Sequence, residues 1–209
     1  MQLIVFDLDG VLLDSRDAHY RCLNDALETI SPKYVISPEE HHTLFDGKPT
    51  LTKLKMLSQM KGLDPDCYQA IYDRKQLLTM QYIGNTVTQD EELQEMMRYL
   101  KEEHNSQIAC ASNSIYETVK LSLFHLGLTK YVDYFLSNED VKNPKPHPEI
   151  YFKCMIRSNR APKEVTIVED SVVGLQAAMR SGANVIKVNN RCDVSKKLFI
   201  PNARCTNFH

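Results

Sequence analysis

The feature that most constrains this chain is its opening stretch, QLIVFDLDGVLLD, in which the apolar run Leu3–Phe6 passes directly into two aspartates and a glycine. A short unbroken apolar run bounded by acids and Gly reads as a strand buried on both faces, as in the middle of a parallel sheet. Asp7 then stands at the carboxyl end of that strand, which is where ligands bind in open α/β sheets. Extended residues two apart point the same way, so Asp7 and Asp9 share one small volume and repel unless a cation or a shared proton intervenes. Taken alone, such a pair reads equally well as helix capping or a solvated loop. The rest of the chain has to decide.

After Asp14 the apolar spacing changes from strand to helix. Ala18, Cys22, Ala26, Leu27 and Ile30 recur at helical intervals up to Pro32. Ser37-Pro38-Glu39-Glu40 combines an N-cap serine, a proline at the first helical position and a capping-box glutamate, and predicts a short helix stopping near Asp46-Gly47. Thr50 caps the next predicted helix, with Leu51, Leu54, Leu57 and Met60 along one face until Gly62. Asp64-Pro65 opens another through Cys67, Ile71, Leu78 and Ile83, ending at Gly84-Asn85. Residues 15–84 therefore read as an all-helical insertion, a lid. Thr88 and Glu91 form a further capping box ahead of Leu93, Met96, Met97 and Leu100.

From there strands and helices alternate. Strands are predicted at 107–111, 134–136, 165–168 and 185–188, with helices at 116–126, 148–157 and 171–181 between them. Alternation of this kind predicts an α/β fold, a doubly wound parallel sheet built from residues 1–14 and 85–209 with the helical cap, residues 15–84, inserted after the first strand.

Composition narrows the function classes. A formal net charge of −2 offers no global attraction to nucleic acid or an anionic membrane, so neither is an expected partner. No stretch of about 18 apolar residues is present to span a bilayer, and the opening apolar run is too short for a signal peptide. The six cysteines, Cys22, Cys67, Cys110, Cys154, Cys192 and Cys205, lack CxxC spacing and read as reduced, mostly buried thiols of a cytoplasmic protein, monomer or homodimer.

The three best of these strands deliver polar residues at their carboxyl ends: Asp7 and Asp9, then Ser112 and Asn113 in CASNS, then Glu169, Asp170 and Ser171. Between the last two groups, prolines flank Lys145 in NPKPHP and restrict its backbone. This set suits phosphoryl transfer, in which one carboxylate attacks phosphorus and the other serves the leaving oxygen as acid and later water as base. A phosphate ester adds negative charge that must be cancelled. Mg²⁺ held by Asp7, Asp170 and the backbone carbonyl of Asp9 is the natural means, since hard cations take oxygen ligands. Lys145 adds a second positive charge, and at about 4 Å with an effective dielectric near 20 each such pair is worth roughly 4 kcal/mol before desolvation. Ser112, with Asn113 beside it, is placed to hydrogen-bond a phosphoryl oxygen.

With these motifs in order, the chain resembles the haloacid dehalogenase superfamily of phosphohydrolases, in the branch with a helical cap after the first strand. The resemblance rests on DLDG, on ASNS around Ser112, on PKPHPEIY around Lys145 and on VEDSVVGLQAA around Glu169-Asp170. It implies Asp7 as nucleophile, Asp9 as acid and base, Ser112 and Lys145 as phosphate binders, Asp170 as Mg²⁺ ligand and Glu169 as a secondary metal or water ligand. The dehalogenases lack the second aspartate, so Asp9 points to phosphate esters, and to a small phosphorylated metabolite such as a sugar phosphate.

The cap is less legible. Lys48, Lys53, Lys55 and Lys61 fall in a segment without acids beyond Asp46; Lys53, Lys55 and Lys61 read as a solvated helix face, whereas Lys48, beside Gly47 and Pro49, reads either that way or as a contact to an anionic part of the substrate. His19 resembles a histidine of the β-phosphoglucomutases in the same branch and reads as a substrate contact, a proton relay or a partly buried polar residue. The phosphomutase alternative meets Thr50 where those mutases usually carry a cap arginine and Ile115 where they carry a lysine. A catalytically idle binding module with this fold is a third reading, for which the retained acids, lysine and metal ligand would be superfluous.

Overall fold

The structure is a computed structural model that describes residues 1–45 and 48–200. It divides into two compact units, Met1–Asp14 with the chain from Thr88 onward, and Ser15–Val87. The end of the short helix expected at Asp46-Gly47 lies outside the described residues, as does Cys205.

The first unit is a five-stranded parallel sheet in the order β3-β2-β1-β4-β5, formed by β1 (Leu3–Phe6), β2 (Gln107–Ala111), β3 (Tyr134–Leu136), β4 (Val165–Glu169) and β5 (Asn184–Lys187). The chain steps outward from β1 to β2 and β3 on one side, then crosses back to add β4 and β5 on the other. The reversal places β1 at the switch point of a doubly wound sheet, where crossovers diverge and leave a crevice at the strands' carboxyl ends. Every residue of β1 is buried.

Alternation along the strands sorts the core. Leu3, Val5, Ala109, Ala111, Val165 and Ile167 pack in one cluster with Ile150, Tyr151, Cys154 and Met155 of the later helix Glu149–Ser158 and with Ala177 and Ala178 of Val172–Ser181. The intervening Ile4, Phe6, Ile108, Cys110 and Val168 are equally buried. A strand covered on both faces has no polar side, which is why these segments read as continuous apolar runs.

The second unit is wholly helical: α1 (Arg16–Glu28), α2 (Pro38–Glu40) leading into the π-turn His41–Phe45, α3 (Thr50–Lys61) and α4 (Tyr68–Thr86). Its core joins Leu23, Ala26 and Leu27 of α1 to Tyr34, Ile36, Phe45, Leu54, Leu57, Leu63 and Ile71. The capping box at Ser37 and Glu40 forms as the sequence predicts. Other expectations shift. Ile30 lies beyond the end of α1 and is exposed. In α3 the buried stripe is Lys53, Leu54 and Leu57, rotated from the one predicted, so Leu51 and Met60 face solvent. Lys53 is only 8% exposed, which overturns its reading as a solvated lysine. Lys61 is not simply solvated either, since its Nζ donates to Val35 O at 2.7 Å and to Glu40 Oε2 at 2.9 Å. Along α4 the buried residues are Ile71, Lys75, Thr79 and Ile83, one every fourth position. Two polar side chains thus complete an apolar stripe, and Gly84 does not end the helix, because no left-handed turn is needed there.

In the first unit α5 (Glu91–Glu102) is capped by Asp90, whose side chain accepts from Leu93 N–H at 3.0 Å, rather than by Thr88. It is followed by α6 (Tyr116–His125), α7 (Glu149–Ser158) and α8 (Val172–Ser181). Among the described residues no helix is long and apolar enough to cross a membrane, and the five described cysteines are free thiols.

The helical unit's dependence on its small core makes a stability prediction. Leu27 is fully buried, and Leu27→Ala is expected to cost about 2–5 kcal/mol, seen as a lower midpoint of urea unfolding followed by circular dichroism.

Candidate active site

Sheet register brings the candidate residues together. Phe6 pairs with Cys110 on one side and with Val168 on the other, so the next residues, Asp7, Ala111 and Glu169, stand side by side at the carboxyl ends of three adjacent strands. They share the face of Val5, Ala109 and Ile167, the side covered by α7 and α8. Asp7 N–H continues the ladder by donating to Val168 O at 3.0 Å.

Lys145 spans this row. Its Nζ donates to Asp7 Oδ1 at 2.7 Å, to Ala111 O at 2.8 Å and to Glu169 Oε1 at 2.6 Å, which matches the three donors an ammonium carries. Lys145 is 3% exposed and Glu169 is fully buried. Asn113 holds the lysine's backbone from the end of β2: Lys145 N–H donates to its Oδ1 at 3.1 Å, and its Nδ2 donates to Lys145 O at 3.3 Å. Both ends of that amide therefore serve the lysine loop, a structural use that the sequence reading of Asn113 as a substrate contact did not include.

Glu169 is occupied on both oxygens. Besides Lys145, Oε1 accepts the hydroxyl of Tyr151 at 2.7 Å. Oε2 accepts from Asp170 N–H at 3.1 Å, from Ser171 N–H at 3.4 Å and from the Ser171 hydroxyl at 3.3 Å. The first turn of α8 lies so close that a Cβ on Gly174 would fall 2.0 Å from Glu169 Oε1. Tyr151, from α7, also presents its ring to Lys145 Nζ, 5.0 Å from the centroid.

One lysine faces two buried carboxylates, and burial and this imbalance of charge act together on Asp7. Burial and then the Glu169 carboxylate push Asp7 well above the usual carboxyl range, with Lys145 pulling against them. Burial disfavours the charge on Lys145 too, but Asp7 and Glu169 more than offset it and hold the ammonium above the ordinary lysine range.

The donor set fits a hard cation. Oxygens of Asp7, Glu169 and Asp170 lie within 4.8 Å of one another, and carboxylate oxygens are what Mg²⁺ prefers. Gly10 makes the approach possible: its φ of +86° lies in the left-handed region, and a Cβ there would fall 2.0 Å from Asp170 Oδ2.

Asp9 is held by serines. Ser114 Oγ donates to Asp9 Oδ2 at 2.8 Å, and Ser112 Oγ lies 3.5 Å from the same oxygen. Ser112 is fully buried and accepts the Ser114 N–H at 2.9 Å. The sequence reading passed over Ser114, although its i+2 spacing from Ser112 was the available signal. The structure thus gathers Asp7, Asp9, Ser112, Asn113, Lys145, Glu169 and Asp170 in the sheet unit. His19 and Lys48 belong to the helical unit, where His19 Nδ1 lies 3.3 Å from Lys75 Nζ, and Lys48 is exposed with its Nζ donating to Leu44 O at 2.6 Å.

The profile of the haloacid dehalogenase-like hydrolases matches residues 4–188. This chain belongs to that family. Among its relatives, a phosphorylated carbohydrates phosphatase of Thermotoga maritima is 27% identical over 87% of this chain and 82% of its own. A fructose-1-phosphate phosphatase of Escherichia coli is 23% identical over 88% of this chain and 95% of its own. Of solved structures, CbbY from Rhodobacter sphaeroides in complex with xylulose-1,5-bisphosphate superposes with a TM-score of 0.81 at 18% identity, covering 94% of this chain and 90% of that one. The family's sheet is the shared frame; at that identity the likeness speaks for the fold.

The Lys145 bridge yields a measurable consequence. Lys145→Met leaves Asp7 and Glu169 buried without their cation and is expected to lower metal-free stability by about 3–5 kcal/mol, read as a reduced urea midpoint. Tyr151→Phe removes a charge-assisted hydrogen bond to the Glu169 carboxylate and should cost about 1.5–3 kcal/mol.

Proposed function

We propose that this protein is a Mg²⁺-dependent phosphatase of small phosphorylated metabolites, sugar phosphates foremost, that carries the phosphoryl group on Asp7 during turnover. The observation that carries the reading is the pairing of Asp7, gripped by Lys145 at the end of the central strand, with a second acid two residues on that is held by a hydroxyl. The names of the Thermotoga maritima and Escherichia coli relatives support the substrate class.

In this mechanism Asp7 attacks phosphorus, and the bond to the leaving alkoxide breaks as Asp9 supplies its proton. Water then attacks phosphorus of the aspartyl-phosphate, Asp9 accepts the water's proton, and the bond between phosphorus and the Asp7 oxygen breaks to give free phosphate and the Asp7 carboxylate. Lys145 keeps the Asp7 carboxylate in one orientation and meets the incoming phosphoryl group with positive charge. Ser112 lines the same end of β2. Asp7 and Asp170 would hold Mg²⁺ with the Asp9 carbonyl, and Glu169, whose oxygens already serve Lys145 and the start of α8, would act mainly by fixing the lysine. When bound, Mg²⁺ supplies charge neutralisation for the phosphate oxygens. The sheet unit forms the catalytic part in this reading, and the helical unit, which runs to Val87 rather than ending at 84 as the sequence suggests, supplies selectivity for the substrate's remainder through His19 and Lys48. A phosphomutase reading is weaker, because Ile115 at the start of α6 and Thr50 bring no charge for a second phosphate.

Phosphate release across a panel of sugar phosphates tests this. Wild type is expected to release phosphate with Mg²⁺, to stop when chelator is added and to resume when Mg²⁺ is restored. Asp7→Asn should fall to background with its melting temperature little changed. Turnover by Asp7→Asn near the wild-type rate would remove Asp7 from its role, and isomerised sugar phosphate without free phosphate would replace the phosphatase with a mutase.

A further inference from the structure

We infer that Ser114 is a positioning residue for the acid and base Asp9: its hydroxyl fixes the Asp9 carboxylate in the place from which a proton reaches the leaving oxygen. The inference rests on the role proposed for Asp9 above and extends it to a residue that no motif reading singled out.

The geometry isolates the hydroxyl's contribution. Ser114 Oγ donates to Asp9 Oδ2 at 2.8 Å, within the usual range for a hydroxyl on a carboxylate, whereas Ser112 Oγ is 3.5 Å from the same atom, at the limit of a useful bond. Ser112 has another task, receiving the Ser114 N–H at 2.9 Å. The Ser114 carbonyl accepts Asn138 N–H at 3.0 Å. Ser114 is therefore pinned by its own main chain on both sides, once to the buried end of β2 and once to the turn after β3. A side chain on such a support offers Asp9 a fixed donor.

Asp9 needs one. It follows the last registered residue of β1 by three positions and precedes Gly10, whose φ of +86° turns the chain sharply. The sheet register ends before it, its main chain bridging instead to Leu13, and proton transfer demands a heavy-atom separation of about 2.6–3.2 Å from the leaving oxygen. A misplacement of about 1 Å in such a group can cost on the order of a hundredfold in rate. Ser114→Ala removes the hydroxyl while keeping both main-chain bonds, so the turn itself survives.

The test separates proton delivery from general damage. Wild type, Ser114→Ala, Ser114→Thr and Asp9→Asn are compared by kcat/KM on two substrates. One is the sugar phosphate that wild type hydrolyses fastest, whose alkoxide needs a proton to leave. The other is p-nitrophenyl phosphate, whose phenolate leaves without one. Because kcat/KM reports only steps up to the first irreversible one, the ratio of the two values registers the proton given to the leaving group. Ser114→Ala is expected to lower the sugar phosphate to p-nitrophenyl phosphate ratio about tenfold or more. Ser114→Thr, which keeps a hydroxyl, should restore most of it. A crystal structure of metal-free Ser114→Ala should show the Asp9 carboxylate displaced or spread over several rotamers. If Ser114→Ala keeps the wild-type ratio while Asp9→Asn collapses it, the positioning role of Ser114 is overturned and Asp9 stands. If Asp9→Asn also keeps the wild-type ratio, the acid role of Asp9 fails, and the inference with it.

Discussion

The Lys145 ammonium has three protons to donate, and it gives them to the Asp7 carboxylate, the Ala111 carbonyl and the Glu169 carboxylate, which end three adjacent strands. Buried charges are tolerated only when paired and hydrogen-bonded, so this arrangement ties several elements to one another. Asn113 must hold the lysine loop, Tyr151 must reach Glu169 from α7, and the two residues leading into α8, Asp170 and Ser171, must turn their N–H groups toward the same carboxylate. Gly174 follows from that constraint, because a side chain at its place would occupy the space of Glu169.

The same constraint separates two acids that are only two residues apart. Asp7 lies on the inner face of the sheet, under α7 and beside a lysine, while Asp9 lies past the strand and meets serine hydroxyls. Different surroundings of this kind are what the proposed division into nucleophile and acid requires of neighbouring carboxyl groups. Burial, and then the second carboxylate against the single lysine, pushes Asp7 up, and the excess negative charge gives a divalent cation an electrostatic reason to bind near Asp170.

Much of this was legible in the chain. The sheet strands could be read because each is a short apolar run closed by polar or turn residues, and the first motif because Asp7 and Asp9 follow such a run without a break. Helix starts were harder. Asp90 displaced Thr88 as the cap of α5, since both carry oxygens that can accept an N–H and only the folded backbone selects one. In the helical unit, Lys53 and Lys75 occupy buried stripes that hydrophobic periodicity assigns to apolar residues. A lysine stem packs like a hydrocarbon chain, so charge alone misplaces it.

The sequence by itself determined the order of strands and helices, the helical insertion and the polar residues that close each strand, because these depend on spacing along the chain. It could not determine that Asp7, Ala111 and Glu169 line up, since that follows from register between strands that are more than fifty residues apart in sequence. Nor could it show that Glu169 spends its oxygens on Lys145, Tyr151 and α8, or that Ser114 rather than Ser112 makes the shorter bond to Asp9. Those partners are chosen by packing in three dimensions, where a difference of less than 1 Å decides which hydroxyl makes the shorter hydrogen bond.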